Sequence, residues 1–404
     1  KPVEKRLITV LRLALWDKAL PLKTLSTEPF QQLCEIASKQ ACVGLVCKAF
    51  LDSEVKLNTC DAVFLLMTLG KLDESNRKVT HGLHRLAELL NDHGIPFFVV
   101  KGQLVGTSYL HPEYRMSGDV DFYVPPSHFD HARQLIADEW KVDYDEGDSD
   151  EEQHIAFTKD GVAFEMHYTL LKFYNSGNRD KLECLLAEDM HQLQSYTVVD
   201  KQVPGLPYVD NLFYTFLHLF HHLTELGVGL RQFCDIAYLL YQHEWSDSER
   251  LRLQSLLQAF DFYKGFQAVC AVCVDMLDLD EVYLPFSLSA RDHRYVAPIM
   301  RVVFEGGNFG FYAVKSKVRS GWRYNLEALK GKLRRYRMFY HLAPKEIRSC
   351  FFLELPAKMK LVLGGIKGER LAASYNSPNG TMVTEKNILW FVEDMYGLLS
   401  NIKY

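Results

Sequence analysis

Between residues 95 and 124 the hydrophobic period of this 404-residue chain changes from helical to extended, and that change constrains its fold most. IPFFVVKG is a short β-branched and aromatic run bounded by Pro96 and Gly102, which predicts a strand. A short helix (QLVGTSYL) and a turn (HPEYRMSG) follow, then a second strand, DVDFYVP. Side chains alternate along a strand, so Asp119 and Asp121 share one face while Val120, Phe122 and Val124 take the other. The later run VAFEMHY repeats this phase, with Glu165 and His167 on one face and Phe164, Met166 and Tyr168 opposite. Two neighbouring strands of this kind would gather Asp119, Asp121 and Glu165 around one small space. Crowded carboxylates repel, and one would take up a proton unless a cation compensates. Divalent metal is the usual compensation. Mg²⁺ favours oxygen ligands, commonly one or two carboxylates together with substrate phosphates.

The flanking sequence is helical in period. Residues 1–90 read as an N-terminal helical region that includes DAVFLLMTLGKLDESNRKVTHGLHRLAELLNDHG, with Gly94 as a left-handed stop. Residues 91–172 form the α/β module. Helical patterning then returns over 173–300, clearest in NLFYTFLHLFHHLTELGVGLRQFCDIAYLLYQ, and 301–404 reads as a basic, mostly helical C-terminal region. The predicted class is therefore α+β, a small α/β module flanked by helical domains.

Composition narrows the function classes. Apolar residues are 48% and charged residues 24%, and the formal net charge of −5 argues against nucleic acid as a partner. No apolar run has the length of a membrane span. The N-terminus has a basic start and a short apolar stretch, but charges recur inside it, so it reads as a helix rather than a signal peptide. The nine cysteines form no paired framework, and Cys270 and Cys273 lie in an apolar helical pattern as buried free thiols, so a reducing cytoplasmic setting is expected. The acidic run Asp143–Glu152 reads as a solvated hairpin loop. Segment 313–370 carries 15 Lys or Arg against 4 Glu, a basic surface open to nucleic acid, an anionic membrane or an acidic surface, docking on the acidic remainder of this chain foremost.

FFVVKGQLVGTSYLHPEYRMSGDVDFYV followed by VAFEMHYTL resembles the DNA polymerase β-like nucleotidyltransferase superfamily. More narrowly, it is similar to a little-characterised bacterial nucleotidyltransferase family with a Lys-Gly turn, an Arg-x-x-x-Asp-x-Asp strand entry and a Glu-x-His strand. Arg115, Asp119, Asp121, Glu165 and His167 match that pattern, as does the later Gly229, Leu230, Arg231 and Asp235 run. The likeness covers roughly residues 90–245. It implies transfer of a nucleotidyl group from an NTP, ATP foremost, to an acceptor hydroxyl, with a small molecule or sugar favoured. Two Mg²⁺ ions, or Mn²⁺, would be held by Asp119, Asp121 and Glu165, with Glu165 nearer the acceptor as ligand or as base. Lys101, Gly102, Gln103, Arg115 and Arg231 are the candidate nucleotide contacts, with 173–300 completing the cleft. The superfamily's second Gly or Ser is here Gln103, a bulkier residue at the phosphate turn.

Plainer readings stand beside these. Lys101 serves equally as a solvated strand end, and Arg115 as a loop-closing salt bridge to Asp119. Arg231 and Asp235, four apart, also fit a helix-surface ion pair. His167 and His154 read as hydrogen-bonding residues, because this chemistry prefers oxygen ligands. His218 and His222 share a helix face, and at least one, His222 foremost, is expected at the cleft, with His167 and Asp235 as further cleft candidates. Two rival functions use the same fold: a protein-adenylylating enzyme, and a non-catalytic nucleotide-binding or assembly module.

Overall fold

A computed structural model describes residues 2–21, 30–144, 154–225, 227–307 and 322–353. Most of the acidic run Asp143–Glu152 lies outside the described residues, as does segment 313–370 apart from 322–353. The chain divides into two units, residues 1–314 and 315–404.

In the first unit, helices α1 (Pro2–Leu15), α2 (Phe30–Lys39), α3 (Val43–Leu51) and α4 (Thr59–Asp92) lead to β1 (Phe98–Val100), α5 (Gly102–Gly106), β2 (Asp119–Tyr123) and α6 (Pro126–Trp140). The hairpin β3 (His154–Lys159) and β4 (Val162–His167) follows, then α7 (Ser176–Asp189), β5 (Gln194–Val198) and β6 (Lys201–Gly205). Helices α8 (Tyr208–Glu225), α9 (Leu230–Tyr241), α10 (Asp247–Ala259), α11 (Tyr263–Leu277) and α12 (Val296–Gly306) complete the unit. The second unit contains α13 (Trp322–Phe339), a 3₁₀ turn over Tyr340–Leu342 and a helical stretch over 344–353.

The long helix α4 begins where the Asn58 side chain accepts a hydrogen bond from the Asp61 N–H, and it stops just before Gly94 at φ 64°. Six strands form one mixed sheet in the order β3-β4-β2-β1-β6-β5. Its core face carries Val120, Phe122, Phe157, Phe164 and Met166. These pack with Leu83, Leu86 and Leu90 of α4 and with Ile136 and Trp140 of α6. The apolar phase of β2 and β4 is thus the one that alternation predicts, and it fixes the carboxylate face opposite.

β5 and β6 correct the helical reading of residues 173–300. Pro204 cannot donate to a ladder and argues against a strand, and the hairpin turns at Val199, whose φ is 59°, rather than at an Asn-Gly pair. β6 nonetheless pairs in parallel with β1 at Val99 and Gly205. All nine cysteines are free, and Cys270 and Cys273 are buried in α11 as the sequence predicts. Among the described residues no helix is long and apolar enough to cross a membrane.

Candidate functional site

Parallel pairing of β2 with β4 sets Asp121 beside Glu165, and Asp119 and Asp121 share the face away from the core. All three line one cavity of about 330 Å³. Its lining also includes Lys101, Gly102, Arg115, His154, His167, His218, His222, Arg231 and Asp235, so residues from six separate stretches converge.

Lys101 enters this cavity from a strained turn. Between β1 and α5 it adopts φ 54°, ψ −143°, a region costing a non-glycine residue on the order of 1–3 kcal/mol. The next residue, Gly102, has φ 37°, and a Cβ there would stand 3.3 Å from the Asp119 carbonyl oxygen. The turn therefore runs close against the start of β2 and aims the lysine at the carboxylates. The Lys101 ammonium donates to Asp121 Oδ1 at 2.9 Å, with side chains 16% and 4% exposed. This is a desolvated ion pair rather than a solvated strand end. Burial works against the ammonium, but Asp121 outweighs it and holds the lysine above its ordinary range.

Asp121 is heavily compensated. Burial alone would raise its carboxyl, yet Lys101 and the His167 ring, 2.9 Å away at Nε2, hold it well below the usual carboxylate range. Asp119 has the opposite environment. Its side chain makes no hydrogen bond or ion pair among the described residues, and Asp121, burial and Glu165 together push its carboxyl up to about 6. One lysine therefore leaves negative charge uncompensated at Asp119. His167 is raised above its ordinary range despite burial, by its bond to Asp121 and the nearby Glu165 carboxylate, whereas burial lowers His154.

The helical side supplies cations and neutral imidazoles. Arg231 lies on the first turn of α9, which starts at Gly229. One of its terminal nitrogens donates to the Met116 carbonyl at 2.9 Å, while its buried Nε has no partner among the described residues. His218 and His222 meet at 3.0 Å between their Nε2 atoms. Burial and the nearby positive charges lower both, His222 to about 3, so they present neutral rings at neutral pH. Tyr214, one turn before His218, is a cleft neighbour that the sequence reading missed. Its hydroxyl donates to the Leu170 carbonyl at 3.1 Å and also meets Lys101, and only a known helix packing could have revealed it.

Two of the expected nucleotide contacts are placed differently. Arg115 lines the cavity, but its Nε and Nη2 donate to the two Asp235 oxygens at 2.8 and 2.9 Å and its Nη1 to Ser117. Neither the loop-closing bridge to Asp119 nor the surface pair of Arg231 with Asp235 forms. The buried Arg115–Asp235 pair instead ties the loop before β2 to α9, and Arg231 adds a second tie through Met116. Gln103 points away from the cavity. Its amide donates to Thr80 Oγ1 at 2.9 Å and faces the Asn76 carbonyl on α4, because it lies one residue past Gly102 on the far side of α5. Its bulk consequently does not crowd the carboxylate cavity.

A family model described as "Uncharacterised nucleotidyltransferase" matches residues 28–278. Among solved structures, the chain is similar to an antigenic nucleotidyltransferase-like protein from Paracoccidioides brasiliensis, with 14% identity and a TM-score of 0.35, covering 51% of this chain and 94% of that one. No curated protein matches.

Proposed function

Because the chain belongs to the family described as uncharacterised nucleotidyltransferases, matched over residues 28–278, we propose that this cleft moves a nucleotidyl group from an NTP, ATP foremost, to an acceptor hydroxyl. A small molecule or sugar is the favoured acceptor. The acceptor oxygen would form a bond to the α-phosphorus, the bond to the bridging oxygen of the β-phosphate would break, and pyrophosphate would leave. The observation that carries this reading is the convergence of Asp119, Asp121 and Glu165 in one cavity with Lys101 and Arg231. The Lys-Gly turn and the strand order of the three acids also support a polymerase β-like arrangement.

The donor set fits a divalent cation. The Asp119 side chain has no partner among the described residues and is pushed up to about 6 by its neighbours, so added positive charge there relieves repulsion. Asp119, Asp121 and Glu165 would hold the metal, Mg²⁺ by their oxygen chemistry. Once bound, such ions lower the pKa of an attacking hydroxyl and stabilise the departing pyrophosphate.

The chain's own residues have separable tasks. Lys101 holds Asp121 ionised and adds positive charge for phosphate oxygens. Arg231, whose Nε has no partner among the described residues, would contact a phosphate. The Arg115–Asp235 pair fixes the loop that delivers Asp119. Glu165, whose side chain is 30% exposed, would bind the metal nearer the acceptor or, as a carboxylate, serve as base towards its hydroxyl. His218 and His222, neutral at working pH, offer hydrogen bonds without adding charge.

Labelled ATP tests the reaction. With Mg²⁺ and a panel of hydroxyl-bearing small molecules, label from the α-phosphate is expected on the acceptor, and Asp119→Asn should abolish it. Transfer of γ-label instead, or α-transfer that survives loss of Asp119, would refute the proposal. The same labels on protein acceptors test the adenylylating alternative.

A further inference from the structure

His154, Glu165 and His167 form a second donor set on the β3–β4 hairpin. Antiparallel register sets His154 opposite His167, with ring centroids 4.9 Å apart, and Glu165 lies two residues from His167 on the same face. The three residues each offer one ligand atom, and these atoms lie within 4.8 Å of one another. Glu165 Oε1 is 3.8 Å from His154 Nε2, and its Oε2 is 3.5 Å from His167 Nε2. Those separations are too long for good hydrogen bonds. Ligands about 2.1 Å from a shared ion, at tetrahedral or octahedral angles, lie about 3.0–3.4 Å apart. A small closure of the hairpin side chains would therefore seat an ion. His167 is only 3% exposed, so its ring is held by packing, while His154 is on the edge strand and can adjust.

We propose that His154, Glu165 and His167 bind a divalent transition-metal ion, Mn²⁺ or Zn²⁺, through two imidazole nitrogens and one carboxylate. The oxygen-only donors Asp119 and Asp121 suit Mg²⁺, whereas imidazole ligands favour first-row transition ions, with Zn²⁺ bound more tightly than Mn²⁺. Ligation exchanges the His167 bond to Asp121 for a metal bond, and Lys101 remains paired with Asp121. The site shares Glu165 with the proposed catalytic cleft but needs no nucleotide, so it stands whether or not nucleotidyl transfer does.

Mn²⁺ added to the nucleotide-free full chain tests this by pulsed paramagnetic resonance and equilibrium binding. Nitrogen couplings from two imidazoles are expected in the parent, unaffected by an equal concentration of Mg²⁺ and abolished when Zn²⁺ displaces Mn²⁺. His154→Gln should remove one coupling and weaken Mn²⁺ by more than the roughly 10–100-fold that loss of an outer-shell partner costs. Asp119→Asn should keep both couplings while losing Mg²⁺-dependent nucleotide binding, which separates this site from the proposed reaction. Bound Mn²⁺ without nitrogen coupling, no bound Mn²⁺, or loss of both couplings in Asp119→Asn would overturn the proposal. The parent spectrum decides the matter even if a variant fails to fold.

Discussion

Replacing Asp235 by leucine is expected to destabilise the first unit by about 4 kcal/mol. The Arg115 and Asp235 side chains are 3% and 6% exposed and joined by bonds of 2.8 and 2.9 Å, and the Tyr109 hydroxyl donates to the same carboxylate at 2.6 Å. An apolar side chain in place of that carboxylate would leave the guanidinium buried with Ser117 as its remaining side-chain partner. Hydrogen bonds to charged groups contribute roughly 1.5–3 kcal/mol each, but these share one carboxylate and are not additive. Removing one member of a buried ion pair typically costs about 3–5 kcal/mol, mostly through the charge left behind. Replacing both partners, Arg115→Met with Asp235→Leu, removes that buried charge and should recover at least about 2 kcal/mol of the loss. Urea unfolding followed by circular dichroism reads the effect as a shift in midpoint at constant slope. An Asp235→Leu loss under about 1 kcal/mol, or a double variant no more stable than the single one, would refute this account of the pair.

Three further outcomes follow from separate features. Lys101→Gly should be more stable than Lys101→Ala by about 1–2 kcal/mol in the same assay, because both lose the ammonium and only glycine relieves φ 54°, ψ −143°. Gly44→Ala should cost about 2 kcal/mol or more in thermal or urea unfolding, since its Cβ would meet the Tyr114 carbonyl oxygen at 2.2 Å, a backbone atom that cannot swing aside. Asp189 is 1% exposed, its Oδ2 is unpartnered among the described residues, and burial with Asp210 beyond it raises its carboxyl from 3.8 to about 7. The folded chain then holds a proton that the unfolded chain releases. Stability from this group is full below about pH 4 and is lost as pH rises to about 7, by up to roughly 4 kcal/mol. Asp189→Asn should flatten that slope, which unfolding at a series of pH values would show.

The centre of the site was legible because it is local. Period-two alternation alone put Asp119 and Asp121 on one face, and the matching phase of Glu165 placed it beside Asp121 once the strands paired. The Lys101-Gly102 turn was visible as a strand end, though not its backbone strain. What escaped the sequence depends on distance along the chain. Arg115 finds Asp235 across 120 residues, so no local spacing distinguishes that partner from the nearer Asp119. Position after the turn puts Gln103 at the phosphate, whereas its bonds to Thr80 and the Asn76 carbonyl turn it away from the cavity. The hairpin of β5 and β6 was hidden by Pro204 and by a turn at Val199 that lacks glycine. His154 and His167 lie 13 residues apart, and only the β3–β4 register brings them opposite one another.

Calorimetry of ATP binding, with and without Mg²⁺, tests the central claim most directly when the parent is compared with the Asp119→Ala, Asp121→Ala variant. Binding is expected to require Mg²⁺ in the parent and to vanish in the variant. A parent that binds no nucleotide with Mg²⁺, or a variant that binds it as the parent does, would contradict a metal-dependent nucleotide site at these carboxylates.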